Sequence, residues 1–281
     1  MANKRTLSEL LLSNTYSGYG TQTQVGAFGL GGYNMAKVNQ CLILAAGNGT
    51  RLRAVSDGLP KPLVKFRGRP ILEHVILRAQ EAGIDNFVIV VGYRSDLIRR
   101  WFDSRWLGNI SVTLIDNPEY HKQNGMSVLK AKGEIQEKFL LLMADHIFEP
   151  KTAKMLIEQP LAPGEVILAV DPQIDRVFDL EDATKVRREG NLIVDIGKEI
   201  ANYDALDTGM FLCDPVLFER LESAIRDGDC SLSDGMRQLA RLRNLRALEI
   251  GEAHWQDVDT PEALAYAKTI FEPSAERLAS V

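Results

Sequence analysis

The chain has 281 residues, 45% of them hydrophobic and 25% charged, with a formal net charge of -5 from 33 basic and 38 acidic residues. A chain of this size buries a substantial core, which excludes wholesale disorder and a disulfide-stapled scaffold. The acidic balance argues against broad nucleic-acid binding, which needs a basic footprint, but leaves room for a local phosphate site.

Residues 1–35 crowd Gly18, Gly20, Gly26, Gly29, Gly31 and Gly32 among Ser, Thr, Gln and Tyr. Such a stretch loses much entropy on ordering and buries little, so it is read as a flexible N-terminal extension. Residues 36–281 are read as one mixed α/β domain. Its first strand is Gln40-Cys41-Leu42-Ile43-Leu44-Ala45, followed by a glycine-rich turn. Apolar spacing at Ile71, Leu72, Val75, Ile76 and Ala79 predicts a helix from Pro70 to Ala82, stopped by Gly83. Strands follow at Phe87–Gly92, Ile110–Ile115 and Lys138–Met143; helices are expected from Ser95, as cap, to Phe102 and from Gly125 to Lys132. Strands apolar along their whole length, alternating with helices, indicate a parallel sheet covered on both faces.

The second half adds a strand at Glu165–Val170 and a hairpin, Thr184–Arg188 with Leu192–Ile196, turning at Glu189-Gly190-Asn191. A strand at Thr208–Leu212 precedes a helix from Pro215 to Ile225. A helix from Leu232 to Arg243, a strand at Ala247–Ile250 and a helix from Pro261 to Phe271 complete the chain. Cys41, Cys213 and Cys230 form no CxxC pair and no zinc spacing. No apolar run reaches the ~18–20 residues of a membrane span, and Leu10-Leu11-Leu12 is too short for a signal-peptide core, so the expected location is cytoplasmic.

Directly after the first strand stands Leu44-Ala45-Ala46-Gly47-Asn48-Gly49-Thr50-Arg51-Leu52. Small residues let backbone N–H groups approach a phosphate, and Arg51 adds a cation. The loop lacks the Gly-Lys-Ser/Thr ending of a P-loop and the third glycine of a dinucleotide fingerprint. Alone it is equally a tight strand-to-helix turn. Leu59-Pro60-Lys61-Pro62-Leu63 brackets a lysine between two prolines that fix the backbone around it. Alone it reads rather as an exposed lysine in a rigid loop.

Together, G-x-G-T-R-L followed by P-K-P-L resembles the signature of nucleotidyltransferases with a GT-A-like fold, which join a nucleoside triphosphate to a phosphorylated alcohol or sugar and release pyrophosphate. The resemblance implies a three-layer Rossmann-like α/β sandwich with a mostly parallel mixed sheet. It implies that the loop, with Leu44, Ala45, Gly47, Gly49 and Thr50, wraps the triphosphate. Arg51 and Lys61 then neutralise its charge as the catalytic cations.

Leu141-Leu142-Met143-Ala144-Asp145-His146 places a carboxylate at the C-terminal end of a buried strand, the edge where open α/β sheets bind ligands. Asp145 suits Mg²⁺, a hard cation that shares phosphate oxygens. In Trp255-Gln256-Asp257-Val258-Asp259-Thr260, Thr260 and in part Asp259 read as the cap of the last helix, leaving Asp257 as the second metal ligand. The family pattern pairs two such aspartates. His146 is open between a substrate contact and a packed histidine, since Mg²⁺ prefers oxygen.

Asn124-Gly125-Met126-Ser127-Val128-Leu129, Met143-Ala144-Asp145-His146, Ala183-Thr184-Lys185-Val186-Arg187 and Leu206-Asp207-Thr208-Gly209-Met210-Phe211 look like the branch of cytidylyltransferases acting on inositol 1-phosphate. That likeness implies CTP as donor and CDP-inositol as product. Asn124, Gly125 and Ser127 are then expected to form the base pocket, Gly125 by letting the base approach. Lys198 matches a substrate-binding lysine, and Asp207 and Thr208 are candidates for the alcohol's hydroxyls. Expected partners are CTP and a small phosphorylated alcohol, with no nucleic acid and no membrane insertion; a homo-oligomer stays compatible. Competing readings are a transferase for a sugar 1-phosphate, phosphocholine or an aminoalkylphosphonate, and a non-catalytic nucleotide-sensing subunit.

Overall fold

The computed structural model describes residues 37–105 and 107–271. The extension expected over residues 1–35 lies outside them. Among the described residues the strands are β1 Gln40–Ala45, β2 Lys65–Phe66, β3 Arg69–Pro70, β4 Asn86–Val91, β5 Ser111–Asp116, β6 Phe139–Met143, β7 His146–Phe148, β8 Val166–Asp171, β9 Lys185–Glu189, β10 Leu192–Gly197, β11 Ala205–Cys213, β12 Leu245–Glu249 and β13 Trp255–Asp257. The α-helices are α1 Ile71–Ala82, α2 Ser95–Asp103, α3 Asn124–Lys130, α4 Pro150–Ile157, α5 Val216–Ala224, α6 Leu232–Arg241 and α7 Pro261–Ile270.

Nine strands form one sheet in the order β5-β4-β1-β6-β11-β8-β12-β10-β9. Strands β1, β4, β5, β6, β8, β9 and β12 run one way, while β10 and β11 run the other. This is the mixed, mostly parallel arrangement expected. Alternation along β1 builds the layers: Cys41, Ile43 and Ala45 face one core with residues of α1, α4 and α7, and Leu42 and Leu44 face a second core with residues of α3, α5 and α6. Burial of both faces explains why the strand sequences are continuously apolar.

Several elements differ from expectation in ways that matter. Ser95 is the first residue of α2 rather than its cap, a place taken by Arg94 in the left-handed conformation. Helix α4 and the short ladder of β7 with β13 were not anticipated from periodicity. Strand β11 starts earlier than expected, and its pairing with β8 is interrupted between Asp207 and Phe211. That irregularity carries Gly209 at a positive φ of 72°.

Candidate active site

A cleft of about 350 Å³ opens at the C-terminal ends of β1 and β6, where this sheet topology places ligands. Its floor is set by backbone pairing. β7 and β13 run antiparallel with Asp257 opposite His146, and the Val258 N–H donates to Asp145 C=O at 3.0 Å. Asp145, His146 and Asp257 therefore each offer one ligand atom within 4.8 Å of the others. The two expected metal carboxylates are brought together.

Lys61 lies beneath the glycine loop and is only 8% exposed. A Cβ on Gly49 would stand 2.6 Å from Lys61 Cβ, so the left-handed glycine (φ 54°) is required to let the lysine pass. Lys61 donates to Asp145 Oδ2 at 2.6 Å, approaches Asp257 Oδ1 at 3.6 Å and pairs with Asp259. Its ammonium thus lies among the carboxylates, not on the open cleft as a free phosphate clamp. Arg51 does line the cleft; it pairs with Asp182 at 2.8 Å and with Asp259. Lys198 lines the cleft and also pairs with Asp182.

Asp259 does not share in capping α7. Thr260 does that work, accepting from the Ala263 N–H at 3.1 Å, while Asp259 joins Arg51 to Lys61. Its position two residues after Asp257 was the available signal, because alternate residues of an extended segment share a face. Asp182 had no comparable signal, being one acid in a loop.

His146 packs flat on Trp255, with ring centroids 5.9 Å apart and planes 16° apart, and its Nδ1 lies 2.7 Å from Asp145 Oδ1. Burial disfavours a charged imidazole, but the hydrogen bond to Asp145 and the charges of Asp257 and Asp145 raise its pKa. Burial alone would raise Asp145 as well; the Lys61 charge and the His146 hydrogen bond overcome it and hold this carboxyl well below the usual range. Asp257 moves upward, because burial and the charge of Asp145 outweigh Lys61.

The remaining expectations divide. Leu44, Gly47, Asn124, Ser127 and Asp207 line the cleft. Ala45 turns its side chain into the α1-side core, leaving only its backbone for a ligand, and Gly49 and Thr50 are not in the cleft wall. Gly125 is needed for a different reason than a base contact: a Cβ there would lie 2.6 Å from Cys230 O and 2.8 Å from Ser231 C, so it lets α3 pack on the chain entering α6. Asn124 Oδ1 accepts from the Leu232 N–H at 2.8 Å across the same junction. Thr208 is fully buried and donates its hydroxyl to Ala169 O at 2.8 Å, so it cannot meet a substrate hydroxyl; strand alternation sends it away from Asp207. Burial pushes Asp207 up to about 6, against the pull of the Gly209 N–H and His146.

The donor set fits a divalent cation. Asp257 Oδ1 is buried without a hydrogen-bond partner, facing the Lys61 ammonium at 3.6 Å. The cleft wall carries Asp145, Asp179, Asp182, Asp207, Asp257 and Asp259, against Arg51, Lys122 and Lys198 with Lys61 beneath. A polyanionic ligand needs further positive charge there, and hard carboxylate oxygens suit a hard divalent ion.

Residues 41–247 match the MobA-like NTP transferase domain. The chain is 37% identical over 79% of its length to the bifunctional IPC transferase and DIPP synthase of Rubrobacter xylanophilus, covering 49% of that protein. It is 34% identical over 82% of its length to the protein of the same description from Aquifex aeolicus, covering 51% of it. The chain thus spans about half the length of these curated relatives. Among the described residues no helix is long and apolar enough to cross a membrane. The solved inositol-1-phosphate CTP transferase from T. maritima superposes with a TM-score of 0.73 at 27% identity, over 81% of this chain and 91% of that one. A UDP-glucose pyrophosphorylase complexed with UDP-glucose gives 0.71 at 20% identity, over 83% and 99%, and shares the fold.

Proposed function

Because the chain belongs to the MobA-like NTP transferase family, whose members are nucleotidyltransferases, we propose that it transfers a cytidylyl group from CTP to inositol 1-phosphate, releasing pyrophosphate and forming CDP-inositol. The carrying observation is the convergence of Asp145 and Asp257 beneath the Gly47–Gly49 loop, with Arg51 at its mouth. The T. maritima inositol-1-phosphate CTP transferase supports the choice of base and acceptor.

In this reading an oxygen of the acceptor phosphate attacks the α-phosphorus of CTP in line with the departing pyrophosphate. The bond to that oxygen forms as the α–β phosphoanhydride breaks. A phosphate is already a competent nucleophile, so the site needs no general base. Positioning and charge do most of the work. Asp145 and Asp257 would hold Mg²⁺, which when bound would neutralise phosphate charge. His146 orients the Asp145 carboxylate through its Nδ1 contact and is itself held by stacking on Trp255. Arg51 leaves Asp182 to meet the α-phosphate and the leaving group. Lys198 leaves the same carboxylate to hold the acceptor phosphate, and Asp207 accepts from an acceptor hydroxyl. Asn124 and Ser127 face the base.

A matrix of CTP, UTP, GTP and dTTP against inositol 1-phosphate, glucose 1-phosphate and phosphocholine, read by Mg²⁺-dependent pyrophosphate release, tests this. Fastest release is expected for CTP with inositol 1-phosphate. A faster pair elsewhere in the matrix reassigns the substrate, and no release from any pair removes the enzymatic reading.

A further inference from the structure

We propose that Asn117 is a positioning residue that sets the pyrimidine preference of the cleft, by forcing the Ser127 hydroxyl to meet the base as a hydrogen-bond donor. Asn117 follows β5, is 1% exposed, and is anchored through its N–H to Val91 O at 2.7 Å. Its side-chain amide has one allowed orientation. The Glu119 N–H donates to Asn117 Oδ1 at 2.9 Å, and a backbone N–H has only a proton to offer. The amide nitrogen must then face the other way, and it donates to Ser127 Oγ at 3.0 Å.

Ser127 sits on α3, 6% exposed, in the wall of the cleft. One of its lone pairs is taken by Asn117. Among the described residues its own proton has no acceptor, which leaves it free to meet a ligand in the cleft. The inference rests on the CTP reading and assigns N3 of the ring as the group this hydroxyl meets. Cytosine presents a lone pair at N3; uracil presents an N–H. Two donors facing each other at this nearly buried hydroxyl leave both poorly paired, and such a mismatch separates ligands far better than shape does.

Asn117→Asp reverses the polarity at nearly constant volume. The carboxylate still accepts from Glu119 N–H, but its second oxygen now accepts from Ser127, so the hydroxyl turns lone pairs toward the base. The measurement is kcat/KM for CTP and for UTP, with inositol 1-phosphate as acceptor, in the wild type, Asn117→Asp and Ser127→Ala. The CTP:UTP ratio is expected to fall about tenfold or more in Asn117→Asp, the scale of one hydrogen bond of the wrong sense, and to fall toward one in Ser127→Ala. Equal loss for both nucleotides in Asn117→Asp, with the ratio unchanged, overturns the proposal, because a purely structural asparagine behaves that way. If Asn117→Asp does not fold, Ser127→Ala decides, and full CTP preference without the hydroxyl overturns it. A wild type that prefers UTP overturns the CTP reading itself, before any variant is compared.

Discussion

Asp257 stands opposite His146 in the register of the β7–β13 ladder, one residue from Asp145, so a three-residue pairing brings together carboxylates far apart in the chain. Lys61 spans them, at 2.6 Å from one and 3.6 Å from the other. An ammonium holds the place between two acids that a divalent ion is proposed to share.

Asp145→Asn and Asp257→Asn keep the volume and remove the charge. Each is expected to lower Mg²⁺-dependent pyrophosphate release by at least about 10²–10³, the usual effect of losing one charge-stabilising group. Near-UV circular dichroism of both variants should match the wild type. Near-native turnover in either one contradicts its assignment as a ligand.

The same substitution at Asp257 should stabilise the metal-free protein. Burial and the charge of Asp145 raise this carboxyl, with Lys61 only partly offsetting them. An acid whose pKa is raised by folding binds more protons in the native state, so stability falls as pH rises from the unfolded pKa toward the folded one. In EDTA at pH 7, Asp257→Asn is expected to melt above the wild type, with the difference closing near pH 4, the ordinary carboxylate range. Adding Mg²⁺ should raise the melting temperature of the wild type alone. Equal Mg²⁺ stabilisation of both proteins contradicts the account.

Asp207, held at about 6 chiefly by burial, gives a pH signature in binding. Below that pH it is protonated and no longer offers a charged acceptor to the alcohol. The ratio of the KM for inositol 1-phosphate in Asp207→Asn to that in the wild type, which cancels the titration of the substrate's own phosphate, is expected to be high at neutral pH and to fall toward one as pH drops through about 6. A ratio that stays constant with pH would remove Asp207 from the acceptor site.

Two glycines separate packing from binding. Gly125→Ala pushes a methyl against the backbone of Cys230 and Ser231, the two nearest contacts, which cannot swing aside as a side chain would. It should cost about 1–3 kcal/mol, measured by urea unfolding. Gly47 lines the cleft, is not in the left-handed region, and has nothing within 4 Å of an added Cβ. Gly47→Ala should leave stability unchanged and weaken CTP binding measured by calorimetry. Equal destabilisation by both would show that the loop is a packing element.

Asp182 neutralises both cations assigned to phosphates. Asp182→Asn is therefore expected to tighten CTP binding and steepen its salt dependence, whereas Arg51→Ala should cut turnover by about 10²–10³. Weaker binding in Asp182→Asn would mean that the carboxylate positions the cations instead of competing for them.

The layered sheet was legible because β6 is apolar throughout and β1 and β4 are apolar after their first residues, Gln40 and Asn86, and α1 repeats its apolar residues at helical spacing. Asp145 and Arg51 were legible for the same reason, standing where such strands end. The β7–β13 ladder was not, since three residues carry no period and their pairing is decided by the packed sheet. Gly125 and Thr208 show the matching limit. Both flank cleft residues in sequence, yet Gly125 serves a contact with Cys230, and strand alternation buries Thr208 against Ala169. Asn117 acts through one side-chain hydrogen bond between elements, a contact that no local pattern encodes.

Crystals grown with CTP and Mn²⁺ in place of Mg²⁺ test the central claim most directly, through the anomalous scattering of manganese. The account predicts a peak about 2.1 Å from a carboxylate oxygen of both Asp145 and Asp257, in contact with the nucleotide's phosphates and with Lys61 displaced from between the two acids. Manganese bound elsewhere, or Lys61 still bridging Asp145 and Asp257 with nucleotide in place, would contradict it.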